Sequence, residues 1–297
     1  MNYVFIAANA SGIPSELAGD IFKLIQHHHL LVSKVDPIPG NQLSRVRLTA
    51  PASSEPKVWK KDLISLSDKY QTDLAMIPEE NFNTPINLAV FDMDSTLIRQ
   101  EVIDEMAVRF GIGDQVKAIT KRAMNGELNF DQSLSMRVSL LKGLPLTELC
   151  EVRKSLTFTP GVPELITALK KNGIRTVIAS GGFTFFAEEV RKILDMDEAY
   201  ANVLEVNGDI LTGNVTGEIV NASYKASLLE SLARREQISA GNILAVGDGA
   251  NDIPMLLTAG MGFAFHAKEK VRHEANHQLH HSKMDILLSF INMGEIR

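Results

Sequence analysis

Over residues 1–80 the apolar positions read as strand, helix, strand, strand, helix, strand. Residues 3–8 are a compact apolar run that predicts a first strand. Leu17, Ile21, Leu24 and Ile25 recur at three- and four-residue spacing, as one face of a helix does. Residues 30–35 predict a second strand, broken by Pro37, Pro39 and Gly40. Residues 43–49 alternate apolar and polar, the pattern of a half-buried strand. Trp59, Leu63, Ile64 and Leu66 can line a second helix, and residues 72–77 make a last strand. This split βαβ order predicts a small antiparallel α+β sheet, ferredoxin-like, with both helices on one face. Residues 78–85 are polar with a proline at each end. A first domain over 1–80, a linker over 81–85 and a second domain over 86–297 are therefore expected.

From residue 86 the pattern becomes one of buried strands separated by helices. Residues 86–91, 176–179 and 243–246 are short apolar runs. Residues 101–156 mix polar and apolar positions at helical period, with interruptions at Gly126 and at Gly143, Leu144 and Pro145. Pro163 opens another helix and Gly173 closes it, the usual asymmetry of helix ends. Asn207-Gly208 is a hairpin signal between residues 203–206 and 210–212. Strands alternating with helices predict a doubly wound, parallel α/β sheet.

Composition narrows the function classes. Hydrophobic residues make up 45% of the 297 and charged residues 22%, which is ordinary for a globular chain with a sizeable core. The net charge of -6 offers no broad basic field for a polyanion, so nucleic acid is not an expected partner. The single cysteine, Cys150, forbids an intrachain disulfide and is expected only to pack. No apolar run approaches the roughly 18 residues that span a bilayer. The apolar segment after Met1-Asn2-Tyr3 lacks the basic stretch of a secretory signal. A cytoplasmic protein with no membrane partner is expected.

Each buried strand of the second region ends in a polar cluster: Asp92 to Thr96, Ser180-Gly181-Gly182, and Asp248 to Asp252. In open α/β sheets the ligand crevice lies beyond the carboxyl ends of the strands, so the three clusters should meet. Asp92 and Asp94, two apart, face one side in extended geometry. Asp248 and Asp252 raise the carboxylates to four, and such a group repels itself without positive charge. A hard cation such as Mg2+, with oxygen ligands, is the natural counter-charge. Carboxylates, a hydroxyl and Mg2+ suit phosphoryl transfer, in which an aspartate can be the covalent nucleophile. Any one of these acids could merely cap a turn; their joint placement at strand ends is what points to chemistry.

The stretches Phe91 to Leu97, Ala179 to Gly182, Lys225 and Gly247 to Asp252 resemble the four motifs of the haloacid dehalogenase (HAD) superfamily, in the family's order. Glu101 to Glu105, residues 121–143 and Tyr224-Lys225-Ala226 are similar to its phosphoserine phosphatases in particular. The resemblance covers residues 86–282 and implies a HAD-like α/β core with a helical cap inserted at 97–157. It implies that Asp92 attacks phosphorus, and that Asp94 protonates the leaving oxygen and then activates water. Ser180, the Gly181 amide and Lys225 would hold the phosphoryl group, with Asn251 nearby. Mg2+ would be bound by Asp92, the Asp94 carbonyl and Asp248, with Asp252 supporting from behind. Glu101 and Arg137 would take the ammonium and carboxylate of phosphoserine, with Met124 and Phe130 as apolar walls. By composition alone Lys225, Glu101 and Arg137 would be solvated helix residues.

Two weaker signals remain. His273 to His277 fits the H-E-x-x-H zinc pattern, with two histidines on one helix face. It lies in a polar, surface-like stretch with His280 and His281 and has no evident third ligand, so catalysis there is not expected. His27-His28-His29 reads as the exposed end of the first helix. Phosphate-binding and dinucleotide-binding glycine loops and the G-x-S-x-G elbow are absent. The N-terminal region resembles an ACT domain in element order, which implies a structural or dimerising unit, a homodimer included, ahead of a serine sensor. The expected activity is Mg2+-dependent hydrolysis of phosphoserine, the last step of serine synthesis. The rivals are a family relative that transfers the phosphoryl group or prefers another small ester, and an idle serine-sensing protein.

Overall fold

Alternation within the first strand gives the N-terminal unit two faces. The computed structural model describes residues 1–9, 11–37, 43–50 and 56–294. Its first elements are β1 (Asn2–Ala8), α1 (Ser15–His27), β2 (Leu31–Pro37), β3 (Leu43–Thr49), α2 (Pro56–Tyr70) and β4 (Asp73–Pro78). They form an antiparallel sheet in the order β2-β3-β1-β4, the split βαβ arrangement the pattern predicts. Tyr3, Phe5 and Ala7 pack with Leu17 and Leu24 of α1 and Trp59 and Leu63 of α2. Val4, Ile6 and Ala8, on the opposite face, join the core of the larger unit. Most of the expected break after β2, residues 38–42, lies outside the described residues. The polar span expected as a linker carries a short helix, α3 (Glu79–Asn83), whose first turn holds Glu79 and Glu80, the favoured charge at a helix start.

The larger unit runs β5 (Leu88–Phe91), α4 (Val102–Arg109), α5 (Gly113–Met124), α6 (Phe130–Ser139), α7 (Leu146–Ser155), α8 (Val162–Lys171), β6 (Arg175–Phe183), α9 (Thr184–Ile193), β7 (Glu198–Asn207), β8 (Ile210–Thr216), α10 (Ala222–Glu236), β9 (Ile243–Gly247), α11 (Ile253–Thr258), β10 (Met261–Phe265), α12 (Glu269–Glu274) and β11 (His277–Leu279). The sheet order is β11-β10-β9-β5-β6-β7-β8, parallel throughout except for the β7–β8 hairpin. Leu88 and Val90 of β5 belong to the core on one face, while Ala89 and Phe91 belong to the core on the other. Both faces are therefore covered, as a doubly wound sheet requires. Helices α4–α7 are inserted between β5 and β6. Among the described residues no helix is long and apolar enough to cross a membrane.

Several expectations are corrected. Asn207 pairs with Ile210, so the two-residue loop is Gly208-Asp209, with Gly208 at φ 59°. The single helical run over 101–156 breaks also at Phe110, Gly111 and Ile112, where Gly111 takes φ 74°. Strands β10 and β11 have no counterpart among the strands the sequence predicts. His273 to His277 is not one helix: α12 stops at Glu274, Ala275 is extended, and His277 starts a buried strand. The two histidines do not share a helix face, and the stretch is not a surface one at His277, whose ring packs 5.1 Å from that of Phe263. Cys150 lies half-buried on α7, in keeping with a packing role.

Candidate active site

Three strands end level with one another. Phe91 at the end of β5 pairs with Ile178 of β6 and Val246 of β9. Asp92, Ser180 and Asp248 follow within two residues of those pairs, so the clusters converge as the strand ends demand. The carboxylates of Asp92, Asp248 and Asp252 have oxygens within 4.8 Å of one another.

Lys225 binds this group together. It sits in the first turn of α10 on the same buried face as Leu228, Leu229 and Leu232, and it is fully buried. Its Nζ donates at 2.6 Å to both Asp92 Oδ1 and Asp252 Oδ1. Burial alone would push the ammonium down, but the charges of Asp252 and Asp92 outweigh it and hold Lys225 above its ordinary range. The other oxygen of Asp252 accepts the Gly249 amide at 2.9 Å. Asp92, Asp248 and Asp252 together could hold a metal ion, and Asp252 is the one of the three with both its oxygens already accepting protein hydrogen bonds. Thr96 Oγ1 steadies Asp248 by donating to its Oδ1 at 3.1 Å. Burial, then the charges of Asp252 and Glu101, raise Asp248 to about 7. Burial and the charge of Asp252 raise Asp92 well above the usual carboxylate range. All-oxygen donors, mutual repulsion and one ammonium among several carboxyls fit a small hard dication.

Asp94 faces another way. It lies in the single wide turn Met93–Leu97 that leaves β5, where Ser95 takes φ 57°. Its Oδ1 accepts the Val102 amide at the start of α4 at 3.0 Å, and Ser180 Oγ donates to its Oδ2 at 3.3 Å. Burial and the nearby charge of Glu101 push it up to about 8. Gly182 is required beside it, because a Cβ there would lie 2.3 Å from Asp94 Oδ2.

A cavity of about 540 Å³ opens over these groups. Asp92, Asp94, Asp248, Gly181 and Asn251 form its base, and Glu101, Met124, Phe130 and Arg137 come from the inserted helices. Glu101 accepts from Ser95 Oγ at 2.8 Å. Arg137 Nε donates to the Ser133 carbonyl at 3.3 Å, and burial lowers its guanidinium against the raising charges of Asp104, Glu101 and Asp94. The Phe130 ring lies against Gly181: its Cζ would be 2.9 Å from a Cβ at that position. Met124 lines the cavity while 68% exposed, so it forms an outer lip rather than a closed wall. Every residue singled out from the sequence for this site is thus brought to one cavity or to its supporting shell. Lys268 also lines the cavity, and Asn202 donates to the Gly181 carbonyl behind it; neither they nor Ser95 and Thr96 are singled out by the sequence. Thr96 and Ser95 lie inside the first motif and could have been suspected; Asn202 and Lys268 carry no local signal.

The family model of haloacid dehalogenase-like hydrolases matches residues 89–257, more than half of the chain. A phosphoserine phosphatase of Archaeoglobus fulgidus is 43% identical over 217 residues, 73% of this chain and 63% of that relative's length. A crystal structure of a HAD-family hydrolase of Salmonella enterica serovar Typhi superposes with a TM-score of 0.82 at 34% identity, over 97% of this chain and 98% of that one. A structure described as a phospho-aspartyl intermediate analogue of phosphoserine phosphatase superposes with a TM-score of 0.66 at 41% identity, over 70% of this chain and all of that one.

Proposed function

The chain belongs to the haloacid dehalogenase-like hydrolases, and we propose that it hydrolyses O-phospho-L-serine to L-serine and phosphate through a phosphoaspartate at Asp92. The observation that carries the reading is one cavity with Asp92, Asp94 and Asp248 at its base and Glu101 and Arg137 on its facing wall. A guanidinium matches a carboxylate in two-pronged geometry, and an acid matches an ammonium. Phosphoserine presents both groups beyond its phosphate. Relatives described as phosphoserine phosphatases support the choice of ester.

In this reading an Asp92 oxygen attacks phosphorus while the bond from phosphorus to the serine oxygen breaks. The Asp94 carboxyl gives its proton to that oxygen. Asp94 then takes a proton from water as the water oxygen attacks phosphorus, and the bond to Asp92 breaks to release phosphate. Ser180 Oγ and the Gly181 amide receive phosphoryl oxygens, Lys225 holds Asp92 in place and supplies positive charge, and Asn251 lies beside the phosphate. Asp92, the Asp94 carbonyl and Asp248 would hold Mg2+, with Asp252 behind; the ion would supply positive charge against an incoming dianion. The reading takes residues 1–80 as an ACT-like structural or dimerising domain, 81–85 as the connection, 86–297 as the catalytic domain and 97–157 as its cap. The order of β1–β4, and the insertion of α4–α7 between β5 and β6, support that division. It extends to a cytoplasmic enzyme at the last step of serine synthesis.

Phosphate release from O-phospho-L-serine, with and without Mg2+, tests the reading, and Asp92→Asn tests its covalent step. Mg2+-dependent release by the wild type, and none by a folded Asp92→Asn, is expected. Near-normal turnover by that variant would contradict the phosphoaspartate. Serine formed without free phosphate in the presence of an alcohol acceptor would mean transfer rather than hydrolysis.

A further inference from the structure

We infer that Asn202 is a positioning residue that locks the Ser180-Gly181-Gly182 turn and the Lys225 segment into one arrangement; the inference rests on the phosphatase reading of the site. Asn202 stands on β7, pairs with Phe183 of β6 and is 1% exposed. Along β6 the ladder passes from Ala179 to Phe183 while β7 advances only from Tyr200 to Asn202. The residues between therefore bulge out of the sheet, and their backbone groups need partners from elsewhere. Asn202 supplies one. Its Nδ2 donates to the Gly181 carbonyl at 2.8 Å.

The far end of the same peptide is also engaged. The Gly182 amide donates to Ser180 Oγ at 2.9 Å, and Ser180 Oγ donates to Asp94 Oδ2 at 3.3 Å. A continuous polar chain thus runs from Asn202 through the Gly181–Gly182 peptide to Ser180 and Asp94. Glycine on both sides leaves this peptide free to rotate unless it is held, since neither residue has a Cβ to restrict it. With its carbonyl fixed by Asn202, the amide points at Ser180.

The second arm of Asn202 reaches the segment that leads into α10. Its Oδ1 accepts the Val220 amide at 2.9 Å. The next residue, Asn221, caps α10 by accepting the Tyr224 amide at 3.0 Å, and its carbonyl accepts the Lys225 amide at 3.0 Å. Asn221 Nδ2 also donates to Asp131 at 3.0 Å, beside Phe130 of the inserted helices. One buried amide therefore ties the Ser180-Gly181-Gly182 turn to the residue before the cap of the helix that carries Lys225, and Asn221 extends the link to Asp131 of the inserted helices. Asn202 touches neither substrate nor the reacting atoms in this arrangement. It sets the distance between the groups that do, and small displacements of such groups cost up to about 100-fold in rate.

Asn202→Ala removes both arms. Asn202→Asp keeps an acceptor for Val220, and while protonated it can still donate to the Gly181 carbonyl; once ionised it cannot. The experiment measures kcat and KM for O-phospho-L-serine from pH 5 to 9, binding of inorganic phosphate by titration calorimetry, and thermal midpoints, for the wild type and both variants. Asn202→Ala is expected to lose about 10- to 100-fold in kcat, with weaker phosphate binding. Asn202→Asp is expected to recover part of that loss at the acidic end, its rate relative to wild type falling as pH rises. A purely structural role would shift the midpoints of both variants without this pH-dependent recovery. The inference is overturned by an Asn202→Ala variant within twofold of wild type, or by equal losses in both variants at every pH. Failure of the wild type to release phosphate would sink the phosphatase reading instead, and phosphate binding by the variants would still decide the role of Asn202.

Discussion

Lys225 and Arg137 look like solvated helix residues in the sequence, yet the fold buries one completely and turns the other into a cavity. Among the described residues Lys225 is the one ammonium that joins Asp92 and Asp252. Removing one partner of a buried ion pair leaves the other uncompensated, at a cost on the order of 3 kcal/mol. Lys225→Met should therefore lower the urea midpoint as well as abolish phosphate release; an unchanged midpoint would mean that Asp92 and Asp252 do not need it. Arg137 makes its case through selectivity. O-phosphoserine and phosphoethanolamine share a phosphate and an ammonium and differ in the carboxylate. Arg137→Ala should cut kcat/KM for the first by about 10- to 100-fold more than for the second, the worth of a charge-assisted hydrogen bond. Equal losses would remove the guanidinium from carboxylate recognition. At this scale the acids were legible because Asp92, Asp94, Asp248 and Asp252 follow compact apolar runs that could only be buried strands. Lys225, Glu101 and Arg137 were legible only through family resemblance, since a single charged residue on a helix has no local signature. Asn202 was not legible at all: it pairs with residues 181 and 220, which nothing in its own neighbourhood announces.

Helices and strands with strong periodicity came through best, and those whose identity is set by tertiary packing came through worst. Strand β10 contains Gly262, a weak strand former, and β11 is only three residues long with a histidine and a glutamine buried in it. A glycine interrupts the short apolar run of β10, and β11 is too short and too polar to carry a strand signal of its own. Gly262 is explained by what lies over it. A Cβ there would fall 1.8 Å from the carbonyl oxygen of Leu256, in the helix α11 that packs on β10. Since that neighbour is backbone, relief requires the helix to move. Gly262→Ala should destabilise the protein by about 3 kcal/mol, at the upper end for overpacking, read as a fall in denaturant midpoint. Because α11 follows directly on Asp252, the same variant should also lose activity under conditions where it remains folded. A midpoint within error of wild type would show that the close approach is not rigid. The hairpin turns one residue later than its sequence signal for a related reason: Asn-Gly is the stronger turn signal, yet the strand register puts Gly208-Asp209 in the loop.

On the scale of the whole molecule, the N-terminal unit is joined to the larger sheet along the edge formed by β11. The His280 and His281 amides donate to Asp73 Oδ1 of β4 at 2.6 and 3.1 Å, Arg272 donates to Asp68 of α2 at 2.6 Å, and Gln278 donates to Ser67 Oγ at 3.2 Å. His277 heads this strand, its ring 5.1 Å from that of Phe263. Burial, with a smaller contribution from the charge of Lys60, pushes its imidazole down to about 3 from an ordinary 6.5. The folded protein thus keeps His277 neutral at pH values where the unfolded chain would protonate it. Between about pH 6.5 and pH 3 the unfolded state binds the extra proton, so stability from this group is complete above 6.5 and is lost as pH falls toward 3. The slope from one such group is about 1.4 kcal/mol per pH unit. Other buried and paired groups also contribute to acid unfolding, so the useful quantity is a difference. His277→Phe keeps a ring in the same place and removes the titration. Its unfolding free energy relative to wild type should be nearly constant from pH 8 to pH 7, then rise steadily in the variant's favour below pH 6.5. A difference that stays flat down to pH 4.5 would mean that the ring takes up its proton in the folded state as readily as in the unfolded chain.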